Sequence, residues 1–86
     1  MARYEILIKT SAAKDIEDIP NRKDRRRIAE RIRSLGGDPR SPGSQKLSGQ
    51  DRYRVRQGVY RIVYSIHDES LVVQVVKGGH GKDVYQ

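Results

Sequence analysis

The segment RYRVRQGVYRIVY, residues 52 to 64, places basic side chains at alternating positions and then once more near its end: Arg52, Arg54, Arg56 and Arg61. Alternate residues of a β-strand point to the same face, so this spacing gathers guanidinium groups on one surface. Guanidinium groups bind phosphate oxygens in a bidentate manner and stay protonated, because their pKa exceeds about 12. The pattern predicts a surface that stabilises negative charge on phosphate but does not accept protons.

Two side chains near the end of the sequence are able to transfer protons, the imidazole of His80 and the phenol of Tyr85, while Lys46 and Lys82 add positive charge. Together with the arginines they suit the cleavage of RNA by its own 2′-hydroxyl, which requires proton transfer and stabilisation of charge on the phosphate. Water is not the nucleophile in that reaction, so we expect no metal or other cofactor. The alternatives are a loop histidine without a role and a tail tyrosine that packs on the sheet.

A β-hairpin is predicted to present the arginines. With Gln57-Gly58 as a two-residue turn, Arg54 lies across from Arg61. Like charges directly opposite each other destabilise a sheet, so a phosphate ligand would explain the cluster better than folding does. The alternative is a solvated charged face, although this face also holds Val63, Val72 and Val76. The opposite face, predicted to lie under helices, carries Tyr53, Val55, Tyr60, Ile62, Tyr64, Ile66, Leu71, Val73 and Val75.

The remaining patterns predict an α+β fold of one domain, residues 1–86, in the order β-α-α-β-β-β. Residues 3–9 alternate as a strand, and a short helix capped by Thr10 or Ser11 is limited by Pro20. A second helix follows the capping residue Asn21 and ends at Gly36-Gly37, and 38–51 form a loop. Strands at 52–57, 59–66 and 70–77, the last two joined by a turn at 67–69, complete a small, mainly antiparallel four-stranded sheet with both helices on one face.

Composition favours a polyanionic partner. The 86 residues carry 18 basic and 11 acidic side chains, a net charge of +7, and no cysteine. Nucleic acid is the first candidate, and an acidic protein or an anionic membrane surface comes second. The alternative is that the charge only aids solubility. No signal peptide or membrane-spanning run is present, so we expect a cytoplasmic protein. The basic run of the second helix, which includes Arg26, is either a solvated face or a secondary phosphate contact.

Three stretches resemble one protein family: Lys46-Leu47-x-Gly49, then YRVRQGVYRIVY at 53–64, then LVVQVVKGGHGKDVY at 71–85. They are similar to toxins of the RelE/ParE superfamily, and specifically to the RelE branch of ribosome-dependent mRNA endonucleases. The resemblance implies a bacterial or archaeal type II toxin that cuts mRNA in the ribosomal A site. It also implies a cognate antitoxin that wraps around the toxin, contact with operator DNA only through the antitoxin complex, and no membrane partner.

The resemblance assigns the mRNA phosphate to Arg54, Arg56 and Arg61, and part of the chemistry to Tyr85. The hairpin register had selected the same arginines. Members of the family can carry lysine at the positions of Arg54 and Arg56, where a lysine has been considered a general base, so His80 is our substitute for that role. The complete RNA-binding set is predicted to be Lys46, Arg52, Arg54, Arg56, Lys82 and Arg26.

A second departure from the family is Gly81, which stands where a basic residue often follows the Gly-His pair and leaves Lys82 alone. Stabilisation of the transition state would then depend more on Arg61. Two other functions stay open: a ParE-like inhibitor of DNA gyrase without catalytic activity, and an inactive toxin relative that acts only with its antitoxin in operator binding. The codon preference, the antitoxin and the oligomeric state do not follow from these residues.

Overall fold

The sheet is mixed and five-stranded, with the strand order β1-β5-β4-β3-β2. The computed structural model describes residues 3–47 and 51–81. β1 runs parallel to β5, and the other neighbouring pairs are antiparallel. The predicted α+β class and the mainly antiparallel sheet are confirmed, but the strand count is five because a short strand precedes the hairpin. The elements are β1 Glu5–Ile8, α1 Thr10–Glu17, α2 Arg22–Ser34, β2 Gln45–Lys46, β3 Arg52–Gln57, β4 Tyr60–His67 and β5 Val72–His80.

Both helices begin near the predicted residues, but only the second has the predicted cap. The Asn21 side chain accepts hydrogen bonds from the backbone N–H groups of Lys23, at 2.8 Å, and Asp24, at 3.1 Å. Such a cap satisfies donors that the first turn of a helix leaves without a partner. In α1, by contrast, Lys9 is the N-cap and makes no side-chain cap bond, so the prediction of a Thr10 or Ser11 cap was wrong. Neither helix in the described part of the chain is long and apolar enough to cross a membrane.

The core lies between the two helices and the face of the sheet that was predicted to carry the apolar residues. The helices contribute an apolar stripe, and the sheet contributes alternate residues of β3, β4 and β5. Leu71 is the exception, because it precedes β5 in the turn, at a φ of 54°, and is 38% exposed. The buried cluster consists of Ala12, Ile19, Ile28, Ile32, Leu35, Val55, Ile62, Tyr64, Val73 and Val75.

The hairpin turns at Gly58-Val59, one residue later than predicted. Gly58 stands at the first central position with a φ of 62°, a conformation that glycine adopts without steric cost and Gln57 would not. Arg56 therefore pairs with Arg61, and the predicted Arg54–Arg61 pair was wrong. The change moves the register by two residues, so each side chain keeps its predicted face.

A polar cluster ties the β4–β5 turn to the chain beyond α2. Asp68 accepts a hydrogen bond of 2.6 Å from the Tyr4 hydroxyl and two, of 3.1 and 2.9 Å, from the Arg40 guanidinium. Arg40 also donates to the Tyr53 hydroxyl at 3.2 Å. The neighbouring Pro39 carbonyl accepts a buried hydrogen bond of 2.6 Å from Tyr64. These contacts hold the segment after α2 against the end of the sheet.

Candidate nucleic-acid interface

The four arginines of the hairpin lie together on the sheet face that the helices do not cover. Strand alternation places them there, since the helix-facing positions of β3 and β4 are occupied by Val55 and by buried residues such as Ile62. We call this surface, which consists of Arg52, Arg54, Arg56 and Arg61, the arginine face. From Arg52 to Arg56 it extends along β3 by roughly 13 Å, at about 3.3 Å per residue. This length suits several phosphates of an extended strand.

Arg54 is held in place by a residue of β2. Its guanidinium donates a hydrogen bond of 2.7 Å to the side-chain oxygen of Gln45, the residue opposite it on β2. On its other side lies Val63, which is also in register with Lys77 of β5. Val63 lies on the predicted face but is only 5% exposed, so it adds little apolar surface there. The long side chains of Arg54 and Lys77 flank this valine, as their apolar stems can do while their charges stay in water.

A β-bulge decides which residues of β5 share the arginine face. Val63 pairs with Lys77 and Tyr64 pairs with Val75, which leaves Val76 as the extra residue. One extra residue reverses the alternation of everything that follows it. Lys77 and Gly79 are thereby turned towards the arginine face, and Gly79 lies directly opposite Arg61. Lys77 is a basic residue of this face that was not predicted. Without a bulge, the alternation of β5 from Val75 onwards would place Lys77 on the helix side.

The same bulge turns His80 away from the arginines. His80 pairs with Tyr60, and their rings meet edge to face with centroids 6.1 Å apart. The two rings border a pocket on the helix side, together with Asp15 and Asp18 of the α1 end. Arg61 points to the opposite side of the sheet, so the structure does not bring His80 to the arginine face. The predicted role of His80 as the base beside the arginines therefore does not fit the register.

The other predicted RNA-binding residues are distributed differently. Lys46 pairs with Tyr53, whose ring stacks on the core residue Tyr64, so the register places Lys46 on the helix side. Arg26 is exposed on α2 and lies on the far side of the sheet from the arginine face. Lys82 and Tyr85 lie outside the described residues. The arginines of the hairpin are therefore the part of the predicted site that the structure brings together.

The other histidine of the chain, His67, lies on the arginine face, at the end remote from Arg61. The Ser65 hydroxyl and His67 Nε2 are 3.0 Å apart, and Ser65 pairs with Arg52. His67 follows Arg61 by six residues along β4, a separation of roughly 20 Å. That separation is too large for both side chains to act on one phosphate. His67 was predicted to lie in a turn, but it is the last residue of β4.

The electrostatics of the face differ from those of the polar cluster at the β4–β5 turn. Hydrogen bonds from Arg40 and Tyr4 lower the pKa of Asp68 to about 2, so its charge is neutralised locally. On the helix side, burial raises the pKa of Tyr60, and the nearby Asp24 carboxylate raises it further. The arginine face carries no acidic side chain at the paired positions of β3 and β4 within the described chain. It is thus suited to attract an anion and to hold it by guanidinium contacts.

Comparison with known proteins identifies relatives for almost the whole chain. Residues 6–85 match the family model of the ParE toxin of the type II toxin–antitoxin system parDE. No curated protein matches the sequence. Among solved structures, the chain resembles the RelBE2 toxin–antitoxin complex of Mycobacterium tuberculosis, with a TM-score of 0.81 and 25% identity over 93% of each chain.

Two further structures have the same fold. The intact RelBE toxin–antitoxin complex of E. coli gives a TM-score of 0.77 at 26% identity, covering 90% of this chain and 95% of that one. The archaeal RelE–RelB complex of Pyrococcus horikoshii OT3 gives 0.76 at 25% identity, covering 91% and 94%. With the family match over residues 6–85, these likenesses show that the chain belongs to the ParE toxin family of type II toxin–antitoxin systems and has a RelE-like fold.

Proposed function

We propose that this toxin is a ribosome-dependent mRNA endonuclease and that the arginine face holds the scissile phosphate. The observation that carries the proposal is the convergence of the four hairpin arginines on the sheet face opposite the helices. Arg56 and Arg61 are even placed directly opposite each other, an arrangement that a sheet tolerates only at a cost in stability. A bound phosphate offsets that repulsion. The likeness to the RelBE2 and RelBE structures, at 25% and 26% sequence identity, also supports the endonuclease.

The proposed reaction is attack of the RNA 2′-oxygen on the adjacent phosphorus. The bond from phosphorus to the 5′-oxygen breaks, which leaves a 2′,3′-cyclic phosphate and a free 5′-hydroxyl. Arg54, Arg56 and Arg61 stabilise the negative charge that develops on the phosphate oxygens, a contribution that grows where water is excluded. One proton leaves the 2′-hydroxyl and one reaches the 5′-oxygen. On the basis of the sequence resemblance, Tyr85 takes part in these proton transfers, whereas the register places His80 on the other side of the sheet.

We further propose that an antitoxin neutralises the toxin by binding to it directly. The M. tuberculosis and E. coli relatives are known as complexes with their antitoxins. The net charge of +7 favours an acidic partner. An apolar groove between β1 and the two helices, lined by Ile6, Ile8, Ala13, Ile16, Ala29 and Ile32, offers a place for an apolar segment of such a protein. Ile8 is 44% exposed there.

The second candidate function is inhibition of DNA gyrase without catalysis. The observation in its favour is the description of the matching family model, which names the ParE toxin. The position of His80 agrees with it as well, because a toxin without chemistry needs no histidine beside the arginines. In that case the arginine face would be a protein- or DNA-binding surface.

One experiment separates the two functions. The toxin is added to a translating cell extract that also contains supercoiled DNA and gyrase, and both mRNA 5′ ends and DNA breaks are mapped. Wild type is compared with Arg61→Ala and with Arg22→Ala, which removes the same charge from the exposed start of α2 on the helix side. We expect cuts at a fixed position within codons, at least about tenfold fewer with Arg61→Ala and little changed with Arg22→Ala.

The contrary results are equally clear. DNA breaks together with intact mRNA would reject the endonuclease in favour of gyrase inhibition. Equal loss of cutting in both variants would show that total charge matters and that the arginine face does not. A 2′-deoxy substitution at the cut site must abolish cutting, because that substitution removes the nucleophile; persistent cutting would reject the mechanism.

A further inference from the structure

We infer that Gly81 is a positioning residue: its missing side chain makes the space in which the guanidinium of Arg61 lies. A Cβ atom added at residue 81 would overlap Nη1 of Arg61 and would lie 3.0 Å from its Cζ. The flexible end of a side chain can move aside, but only by giving up this position. A side chain at position 81 and the Arg61 guanidinium therefore cannot occupy this space together. The consequence for RNA binding rests on the proposed function, whereas the geometry does not.

The backbone itself does not require glycine at position 81. Gly58 and Gly79 have positive φ angles, of 62° and 149°, and Gly81 is not among the positive-φ glycines of the described chain. Any L-residue can adopt a negative φ, and alanine would also restrict the unfolded chain more than glycine does. Gly81 is buried, and its N–H donates a hydrogen bond of 2.9 Å to the Val59 carbonyl. Space for Arg61, rather than chain conformation, accounts for the glycine.

The bulge at Val76 is what brings this glycine to Arg61. After the bulge, Gly79 faces Arg61 directly, and neither Gly79 nor Gly81 carries a side chain that would fill the surface there. The Arg61 side chain crosses this cleared end of β5 and is half-buried. The GGHG segment thus has two uses. Gly79 and Gly81 make room on the arginine face, whereas Gly78 lies against Ile16 and His80 contacts Tyr60 on the helix side.

This arrangement leaves the space beside residue 81 to the Arg61 guanidinium. It also draws the Arg61 guanidinium towards β5 and away from Arg56, its like-charged partner on β3. Separation of the two charges reduces their repulsion. A side chain at residue 81 would push Arg61 out of this position. Such a change should therefore weaken phosphate binding through Arg61 and only through Arg61.

The test is a double-mutant cycle with Arg61→Ala, Gly81→Ala and the combined variant. Gly37→Ala serves as the control for a change from glycine to alanine, because a Cβ there meets its nearest atoms at 3.8 Å. Binding of a short single-stranded RNA that carries 2′-deoxy sugars, and so cannot be cut, is measured by fluorescence anisotropy. The NMR signal of the Arg61 Nε–H group, assigned by its absence in Arg61→Ala, is recorded without RNA.

We expect Gly81→Ala to shift the Arg61 signal and to weaken RNA binding roughly three- to tenfold, while the same change in the Arg61→Ala background has an effect below about twofold. Equal weakening in both backgrounds, or an unmoved Arg61 signal, would overturn the inference. If Gly81→Ala does not fold, the exchange variant Arg61→Ala with Gly81→Arg decides. Recovery of binding above that of Arg61→Ala supports a shared position, and no recovery rejects it.

The result of this test can be interpreted even if the proposed function is wrong. A wild-type toxin that cuts no mRNA would reject the endonuclease, but the Arg61 signal would still report whether residue 81 holds the guanidinium. Conversely, mRNA cutting that is weakened by Arg61→Ala and unaffected by Gly81→Ala would support the endonuclease and reject the positioning role of Gly81.

Discussion

Arg56 and Arg61 lie directly opposite each other on β3 and β4. Facing pairs of like charge destabilise a sheet. Removing one partner should therefore stabilise the protein while it weakens the binding of an anion. Such opposite effects distinguish a functional surface from a solvated one.

We predict that Arg56→Thr raises the free energy of unfolding by roughly 0.2–1 kcal/mol, because it removes the repulsion and places a β-branched residue in a strand. Affinity for single-stranded RNA should fall in the same variant. Urea unfolding and anisotropy measure the two quantities. Arg52→Thr is the matched control, since Arg52 faces Ser65 and loses no like-charged neighbour. Equal stabilisation by both substitutions would contradict the assignment to the Arg56–Arg61 pair.

Replacing His80 tests whether the bulge places this residue on the helix side of the sheet. We predict that His80→Ala keeps mRNA cutting within about twofold of wild type, because its ring lies on the helix side of the sheet. The variant should lose roughly 0.5–1 kcal/mol of stability through the missing edge-to-face contact with Tyr60. Cleavage assays and urea unfolding measure these effects. Loss of cutting comparable to that in Arg61→Ala would mean that His80 reaches the reacting atoms after all.

The faces of the hairpin were predictable from the sequence, although its register was not. The turn at Gly58-Val59 shifts the predicted pairing by two residues, and a shift of two preserves the side on which each residue lies. Alternation therefore identified the arginine face correctly. The second helix was equally readable, because the Asn21 cap and the spacing of Ile28 and Ile32 are local features.

The end of β5 was not predictable for a physical reason. The run VVQVVKGG is apolar on both sides of its glutamine, so nothing in it marks Val76 as the residue that a bulge would expel. The bulge depends on pairing with β4 and reverses the faces of Lys77 and His80. β2 was missed for another reason, since two residues are too few to show alternation. Site residues after a bulge thus need the structure.

Asp68 should make stability depend on pH under acidic conditions. Its folded pKa of about 2, lowered by hydrogen bonds from Arg40 and Tyr4, lies below the ordinary value of 3.8. The unfolded chain therefore binds more protons between about pH 4 and pH 2. The stabilising contribution is complete above the unfolded pKa and is lost as the pH falls through the folded one.

We predict that Asp68→Asn is less stable than wild type at pH 5 and that the difference shrinks towards pH 2. Thermal unfolding measured at intervals across this range gives the two curves. Tyr4→Phe removes one hydrogen bond, of 2.6 Å, and should give a shallower pH dependence than wild type. Parallel curves for wild type and Asp68→Asn would show that this carboxylate gains no stabilisation in the folded state.

The salt dependence of RNA binding offers a count of the phosphates that the arginine face contacts. Each phosphate neutralised on a single strand contributes about 0.7 to the slope of log affinity against log salt concentration. We predict that Arg52→Ala, Arg54→Ala and Arg56→Ala each reduce this slope by about 0.7. Arg54→Ala should also weaken binding most at low salt, because Gln45 holds that guanidinium in place at 2.7 Å before the RNA arrives. Arg26→Ala on α2 is the matched control, and a reduction of its slope equal to that of the hairpin variants would place the RNA on the helix side as well.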